Sequence, residues 1–270
     1  MSGALETLRH GRMGDVMQFN GRSRVLRALI LCAVAGVGWG SRLEAASLLT
    51  PGPAALVRRS VEPFGLFAFA VSGGSLHRKW FALRRQFDDD MVQLALCDGD
   101  RGGCVSPAAL KLLAIVDAAR AREGRAQLGE INRSINLAIR ASSDLALHGT
   151  DDVWSSPLAT FEAGAGDCED YAIAKFAALR LAGVPLNDLR IVVLRNSASG
   201  EEHAVTSVRL EGRWLMLDNM KMAMVEDENV RHFQPLFVLY QGAVMKYVDD
   251  QIVVAPSSPA ATLGPRAEAN

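Results

Sequence analysis

Apolar residues recur at helical spacing through the first half of the central region, and this spacing predicts three helices. The apolar positions of these helices are Trp80, Leu83 and Phe87, then Leu110, Leu113 and Val116, then Leu128, Ile131, Ile135 and Ala138. The first helix begins near His77, the second at Ser106-Pro107, since proline suits a first helical position, and the third after Gly124. A loop is expected over residues 148–157. A fourth helix is expected near Asp167, after a glycine-rich turn.

After Pro185 the pattern changes to short β-branched runs that are typical of strands. The predicted strands cover residues 189–194, 204–210, 213–218, 236–240, 244–248 and 251–255. Glu211-Gly212 would join the second and third strands as a two-residue hairpin turn. Helices first and strands afterwards predict an α+β fold, with N-terminal helices packed on an antiparallel β-sheet.

The N-terminal 46 residues have the pattern of a leader and a secretory signal peptide. Its basic residues, Arg22, Arg24 and Arg27, precede a short apolar run over 28–40. Arg42 ends that run well short of the about 20 apolar residues that a membrane span needs. The sequence therefore predicts export to the periplasm or the exterior, with cleavage after Ala45 or Ala46.

The rest of the chain is predicted to hold one domain. Residues 47–75 form an extended segment, residues 76–255 form the domain, and the small polar residues 256–270 form a disordered tail. With 270 residues, 49% of them hydrophobic, the chain is long enough for one core. A formal net charge of -1, no Lys/Arg block and 6% aromatic residues argue against a nucleic-acid partner.

The cysteines leave one thiol without an obvious partner. Cys32 would leave with the signal peptide, and Cys97 and Cys104 bracket the flexible loop CDGDRGGC. Those two residues could form a local disulfide or remain two free thiols near a helix end. If they pair, Cys168 is the odd cysteine of an exported chain.

Cys168 stands where a cysteine nucleophile would be useful, at the point where the turn GAGD enters the fourth helix. A thiolate is the attacking species, and a helix N-terminus lowers the pKa of a thiol and offers N–H groups to an oxyanion. Gly164 and Gly166 allow unusual backbone angles and close approach of a substrate.

The hairpin supplies a base and its orienting carboxylate. A two-residue turn pairs Leu210 with Arg213 and hence Val205 with Asp218, which places His203 and Asp218 on one face as diagonal neighbours. A one-residue slip would break the match of apolar positions on the other face. Taken singly, the three residues could be a core cysteine, a hydrogen-bonded histidine and a turn aspartate. Together they favour a cysteine hydrolase with Cys168, His203 and Asp218 as its triad.

The segments GAGDCEDYAIAKFAALRLAGVP, LRIVVL, HAVTSV and RWLMLDN resemble the bacterial transglutaminase-like cysteine proteinases, whose best-known branch is the LapG-type periplasmic proteases. This resemblance implies a papain/transglutaminase-like fold with the nucleophile at a helix N-terminus. It also implies Cys168 as nucleophile, His203 as base and then acid, and Asp218 as the imidazole orienter.

Calcium is a further implication of the resemblance. In the LapG-type branch the carboxylates that flank the cysteine bind Ca²⁺, and these correspond to Asp167 and Glu169, with Asp170 as a third candidate. The alternative is that three acids in a first helical turn simply complement the helix dipole.

The family also suggests a substrate and a partner. Its proteolytic members cut large cell-surface adhesins in biofilm control and are restrained by an inner-membrane receptor for a cyclic dinucleotide. The expected function is therefore that of an exported cysteine endopeptidase. Two alternatives remain open, a protein-glutamine acyl transferase that cross-links proteins and a non-catalytic binding module on the same fold.

Overall fold

A computed structural model describes residues 60–248 of the chain. The helices are α1 (Ser75–Gly99), α2 (Pro107–Arg120), α3 (Gly124–Ala138), α4 (Asp144–His148), α5 (Pro157–Ala163) and α6 (Cys168–Leu181). The strands are β1 (Ala68–Ala70), β2 (Arg140–Ala141), β3 (Ala165–Gly166), β4 (Leu189–Asn196), β5 (Glu202–Leu210), β6 (Arg213–Leu217), β7 (Val225–Glu226), β8 (Phe233–Tyr240) and β9 (Ala243–Tyr247). The predicted leader, signal cleavage, strand 251–255 and tail lie outside the described residues.

Seven strands form one sheet in the order β1-β9-β8-β4-β5-β6-β7, and every neighbouring pair is antiparallel. The helices pack on one face of this sheet, where Val193, Val208 and Leu215 join the main hydrophobic core. Val192 and Trp214 belong to a smaller core on the opposite face. This arrangement confirms the predicted α+β class with N-terminal helices on an antiparallel sheet.

Helix α6 lies at the centre of the packing, and ten of its fourteen residues are buried. Four of the buried residues are alanines, at positions 172, 174, 177 and 178. Such short side chains let the helix axis approach the strands closely. The contact with β5 also contains a buried hydrogen bond, in which Thr206 Oγ1 donates to the carbonyl oxygen of Ala172 at 2.6 Å.

The hairpin of β5 and β6 has the predicted register. Leu210 pairs with Arg213 and Thr206 pairs with Leu217, which continues to Val205 opposite Asp218. Glu211 and Gly212 occupy the turn with φ angles of 51° and 80°. Two positive φ angles are the mark of a type I′ turn, whose twist matches that of the flanking strands.

The segment between α3 and α6 contains the predicted loop, with regular structure on both sides of it that the sequence did not predict. The loop joins two short helices, α4 and α5, and Pro157 begins α5 at the position that proline favours. The strands β2 and β3 form a separate parallel pair, since Arg140 and Ser142 donate backbone hydrogen bonds to Gly164 and Gly166. Pairs of only two residues lack a periodic pattern that sequence reasoning can recognise.

Three further observations complete the description. Cys97 and Cys104 form a disulfide with a Cα–Cα distance of 4.8 Å, which resolves the alternatives left by the sequence. Ala138 is exposed although its spacing placed it on the buried face of α3, and Ile139 is buried instead. Within residues 60–248, no helix is both long enough and apolar enough to cross a membrane.

The turn geometry predicts a stabilising substitution. Glu211→Asn should raise the free energy of unfolding by about 0.5–1 kcal/mol, because asparagine adopts a positive φ at lower cost than glutamate. Urea denaturation should show a higher midpoint with an unchanged slope. Gly212→Ala is the opposing control and should lower the midpoint, since its φ of 80° is strained for alanine. A lower midpoint for Glu211→Asn would contradict the assigned turn.

Candidate active site

An open cleft of about 380 Å³ lies at the N-terminus of α6. Its walls come from the start of α1, the segment around α4, the first turn of α6 and the adjoining ends of β4 and β5. Cys168 and His203 both line this cleft. The topology therefore brings a thiol and an imidazole, 35 positions apart in the sequence, to one solvent-accessible space.

His203 and Asp218 form a direct hydrogen bond. Nε2 of His203 lies 2.9 Å from Oδ1 of Asp218, and only 9% and 6% of the two residues is exposed. The second ring nitrogen, Nδ1, is left for another partner. Burial would raise the pKa of Asp218, but the hydrogen bonds from His203 and from the backbone N–H of Met220 outweigh it and lower that pKa. Asp218 is therefore held as a carboxylate.

Cys168 is half-buried at the first position of α6. Its Sγ accepts the backbone N–H of Ala204 at 3.4 Å and donates to Oε2 of Glu169 at 3.1 Å. Burial, followed by the charge of Glu169, raises the pKa of the thiol well above its usual value. The expected lowering of this pKa by the helix N-terminus is therefore wrong, because desolvation and neighbouring carboxylates outweigh the helix dipole.

Three carboxylates gather beside the thiol. One oxygen each from Asp144, Asp167 and Glu169 lies within 4.8 Å of the others. Of the three residues predicted to bind a metal, this group contains Asp167 and Glu169. Asp170 lies outside this group: its Oδ1 accepts the backbone N–H of Ser155 at 2.9 Å, and its Oδ2 is buried without a hydrogen-bond partner among the described residues.

The negative charges of this cluster repel one another. Burial and the nearby carboxylates, first that of Glu169, raise the pKa of Asp167 to about 9. Oδ1 of Asp144 and Oδ1 of Asp167 are buried and have no hydrogen-bond partner among the described residues. Such groups are costly unless a proton or a cation accompanies them. The cluster is thus suited to a positively charged ligand.

Asp144 is the site residue that sequence reasoning missed. It begins α4 and is 3% exposed, and its Oδ2 accepts the backbone N–H of Val153. In the sequence SSDLALHG it has the ordinary pattern of an acid at a helix start, so no local signal distinguishes it. Only the packing of α4 against β3, which leads into Asp167, brings it there.

Two residues that could act as an alternative base or acid, His232 and Glu202, lie elsewhere or have another partner. His232 is not among the residues that line the cleft. Glu202 lines the cleft but forms an ion pair with Arg195 at 3.0 Å. The need for glycine at position 166 is explained by lack of room for a side chain, since a Cβ there would lie within 2.6–3.1 Å of the side chain of Asp170.

Solved structures with a similar fold come from Legionella pneumophila. The structure named Legionella pneumophila LapG has 23% identity over 57% of this chain and 85% of its own, with a TM-score of 0.47. Its calcium-bound form has 21% identity over 61% and 93%, with a TM-score of 0.48. The EGTA-treated form has 23% identity over 57% and 83%, with a TM-score of 0.47. No curated protein matches the chain.

The family model described as bacterial transglutaminase-like cysteine proteinase (BTLCP) matches residues 94–233. This range is just over half of the 270 residues, and it includes Cys168, His203 and Asp218. It agrees with the papain/transglutaminase-like form of the α+β fold expected from the sequence. The chain belongs to the bacterial transglutaminase-like cysteine proteinases, and it is a cysteine peptidase.

Proposed function

We propose that the chain is an exported, calcium-assisted endopeptidase that cuts a protein substrate by means of Cys168, His203 and Asp218. The observation that carries this proposal is the 2.9 Å bond between His203 Nε2 and Asp218 Oδ1, beside a half-buried thiol in the same cleft. Because Asp218 occupies Nε2, Nδ1 of His203 is the nitrogen free to exchange a proton with the thiol.

Each of the three residues has one role in the proposed reaction. His203 Nδ1 accepts the proton of the Cys168 thiol, and the sulfur attacks the carbonyl carbon of the scissile peptide bond. The imidazolium then gives this proton to the leaving amine, and a thioester remains on Cys168. Water, deprotonated by His203, hydrolyses the thioester and regenerates the thiol. Asp218 stabilises the imidazolium and fixes its orientation.

The charge developing on the substrate oxygen needs donors. The N–H groups at the start of α6 point towards the cleft end of the helix and have no partners within the helix. Together with the helix dipole they suit an oxyanion next to Cys168. Gly164, with a φ of 62°, ends α5 and turns the chain into β3, which leads directly to the start of α6.

Calcium fits the carboxylate cluster. Three oxygens within 4.8 Å of one another are compatible with Ca²⁺–O distances of about 2.3–2.6 Å. The unpartnered oxygens of Asp144 and Asp167 support this ligand set. When bound, Ca²⁺ would neutralise the carboxylates that surround the thiol.

The substrate, location and partner are part of the same proposal. The signal-peptide pattern of residues 1–46 supports a periplasmic location. The motif GDCEDYA, which resembles that of the LapG-type proteases, supports a large cell-surface adhesin as substrate. By the same resemblance, an inner-membrane receptor for a cyclic dinucleotide is proposed as the regulatory partner.

Cys168→Ala should abolish release of the substrate from the cell surface, with a loss of activity of about a thousandfold or more, because no nucleophile remains. Quantitative proteomics of the medium should find one large polypeptide that only the wild-type chain releases. Leu137→Ala, at an exposed helical position, is a matched surface control and should leave release intact. Undiminished release by Cys168→Ala would refute the assignment.

Hydrolysis and acyl transfer can be separated in the same material. An added primary amine competes with water for the thioester, and mass spectrometry of the product identifies which of them is incorporated. Free carboxyl termini are expected from a peptidase. Predominant cross-linked glutamine side chains would instead favour the acyl-transferase alternative.

Calcium should stabilise the folded chain, since it binds the native cluster and not the unfolded one. At 100 times the Kd, the gain is about 2.7 kcal/mol, and it appears as a higher melting temperature that EGTA reverses. Asp144→Asn should weaken calcium binding by roughly tenfold or more, because affinity depends on ligand charge. Asp151→Asn changes a cleft carboxylate outside the cluster and should not. Equal binding heats for both variants would exclude Asp144 as a ligand.

A further inference from the structure

Lys175 is a fully buried lysine beneath the active site. It lies on α6 seven residues after Cys168, almost two helical turns, so the two side chains share one face of the helix. None of its surface is exposed, and it is the largest fully buried side chain among residues 60–248. The proposed reaction assigns it no role.

The hydrogen bond of Lys175 connects it with the residue next to Asp218. Its Nζ donates to the backbone carbonyl oxygen of Leu217 at 3.4 Å, and Leu217 immediately precedes Asp218. Nζ also lies 5.8 Å from the centre of the Tyr171 ring. No salt bridge involves Lys175 in the described part of the chain. Burial lowers its pKa to about 7, and the negative charge of Asp218 acts in the opposite direction.

Packing alone does not account for a lysine at this position. An ammonium group that leaves water loses solvation energy, and one long hydrogen bond returns little of it. Methionine has a similar shape and would fill the same space at lower cost, since replacing buried charges by apolar side chains is often neutral or stabilising. A function of its amine as the donor to Leu217 explains the lysine better.

Lys175 makes one of two buried polar contacts that join α6 to the hairpin of β5 and β6. Helix α6 carries Cys168 and is joined by a buried polar contact to each strand that carries another triad residue. Thr206 Oγ1 bonds the helix to β5, which carries His203, and Lys175 bonds it to the end of β6, before Asp218. The two contacts fix the helix relative to both strands.

We propose that Lys175 is a positioning residue for Asp218, which ties the end of β6 to the nucleophile helix. This inference rests on the proposed triad. Without the Nζ donor, β6 loses its tie to α6 at Leu217, the residue before Asp218. The imidazole of His203 is then less well oriented towards Cys168.

The test separates positioning from stability in the variant Lys175→Met of the full-length chain. Urea denaturation should give an unchanged or higher midpoint. The alkylation rate of Cys168 by iodoacetamide at pH 7, followed by mass spectrometry of the peptide that contains it, should fall about tenfold or more. Leu179→Met is the matched control on α6, a fully buried apolar residue, and should keep the wild-type rate.

A double variant shows whether Lys175 acts through Asp218. Once Asp218→Asn has removed the carboxylate, Lys175→Met should slow alkylation no further. The proposal is overturned if Lys175→Met reacts with iodoacetamide as fast as wild type, or if its alkylation rate falls only together with its urea midpoint. It is also overturned if, in the double variant, the rate losses caused by Lys175→Met and by Asp218→Asn multiply. If Asp218→Asn alone leaves the wild-type rate unchanged, the triad assignment fails as well, which distinguishes the two failures.

Discussion

The close contact between α6 and the sheet determines everything that the site can do. The helix carries the nucleophile, the hairpin of β5 and β6 carries the base and, directly after β6, its orienter, and neither element alone forms a site. Alanines bring the helix near the strands, and the buried bonds of Thr206 and Lys175 limit how it can slide or turn. Because a packed interior has few voids, a larger residue at Ala174 would displace the sulfur.

The charges around this contact are arranged on two sides. Three carboxylates crowd the thiol at the open end of the helix, and a buried ammonium lies two turns below, near Asp218. Each group is expensive to bury by itself. The proposed cation on one side and the proposed tie of Lys175 to the end of β6 on the other give a functional reason for burying both kinds of group.

Periodic features were predictable from the sequence, and features made by packing were not. Helical spacing placed α1, α2 and α3, and the apolar alternation around Glu211 placed the register that brings His203 to Asp218. Asp144 had no pattern of its own, since it reaches Asp167 only through the folding of a short helix. The predicted direction of the Cys168 pKa shift was wrong for the same reason. The effect of a helix dipole can be read from local sequence, whereas desolvation depends on the whole surrounding structure.

The raised pKa of Cys168 has a chemical consequence beyond catalysis. Peroxide attacks the thiolate and hardly attacks the protonated sulfur, so burial, together with Glu169 when no cation neutralises it, slows the formation of sulfenic acid at this residue. Cys97 and Cys104 are already joined to each other, and Cys168 is the one reduced sulfur of a cysteine among residues 60–248. The nucleophile is thus slow to oxidise for as long as no cation offsets the charge of Glu169.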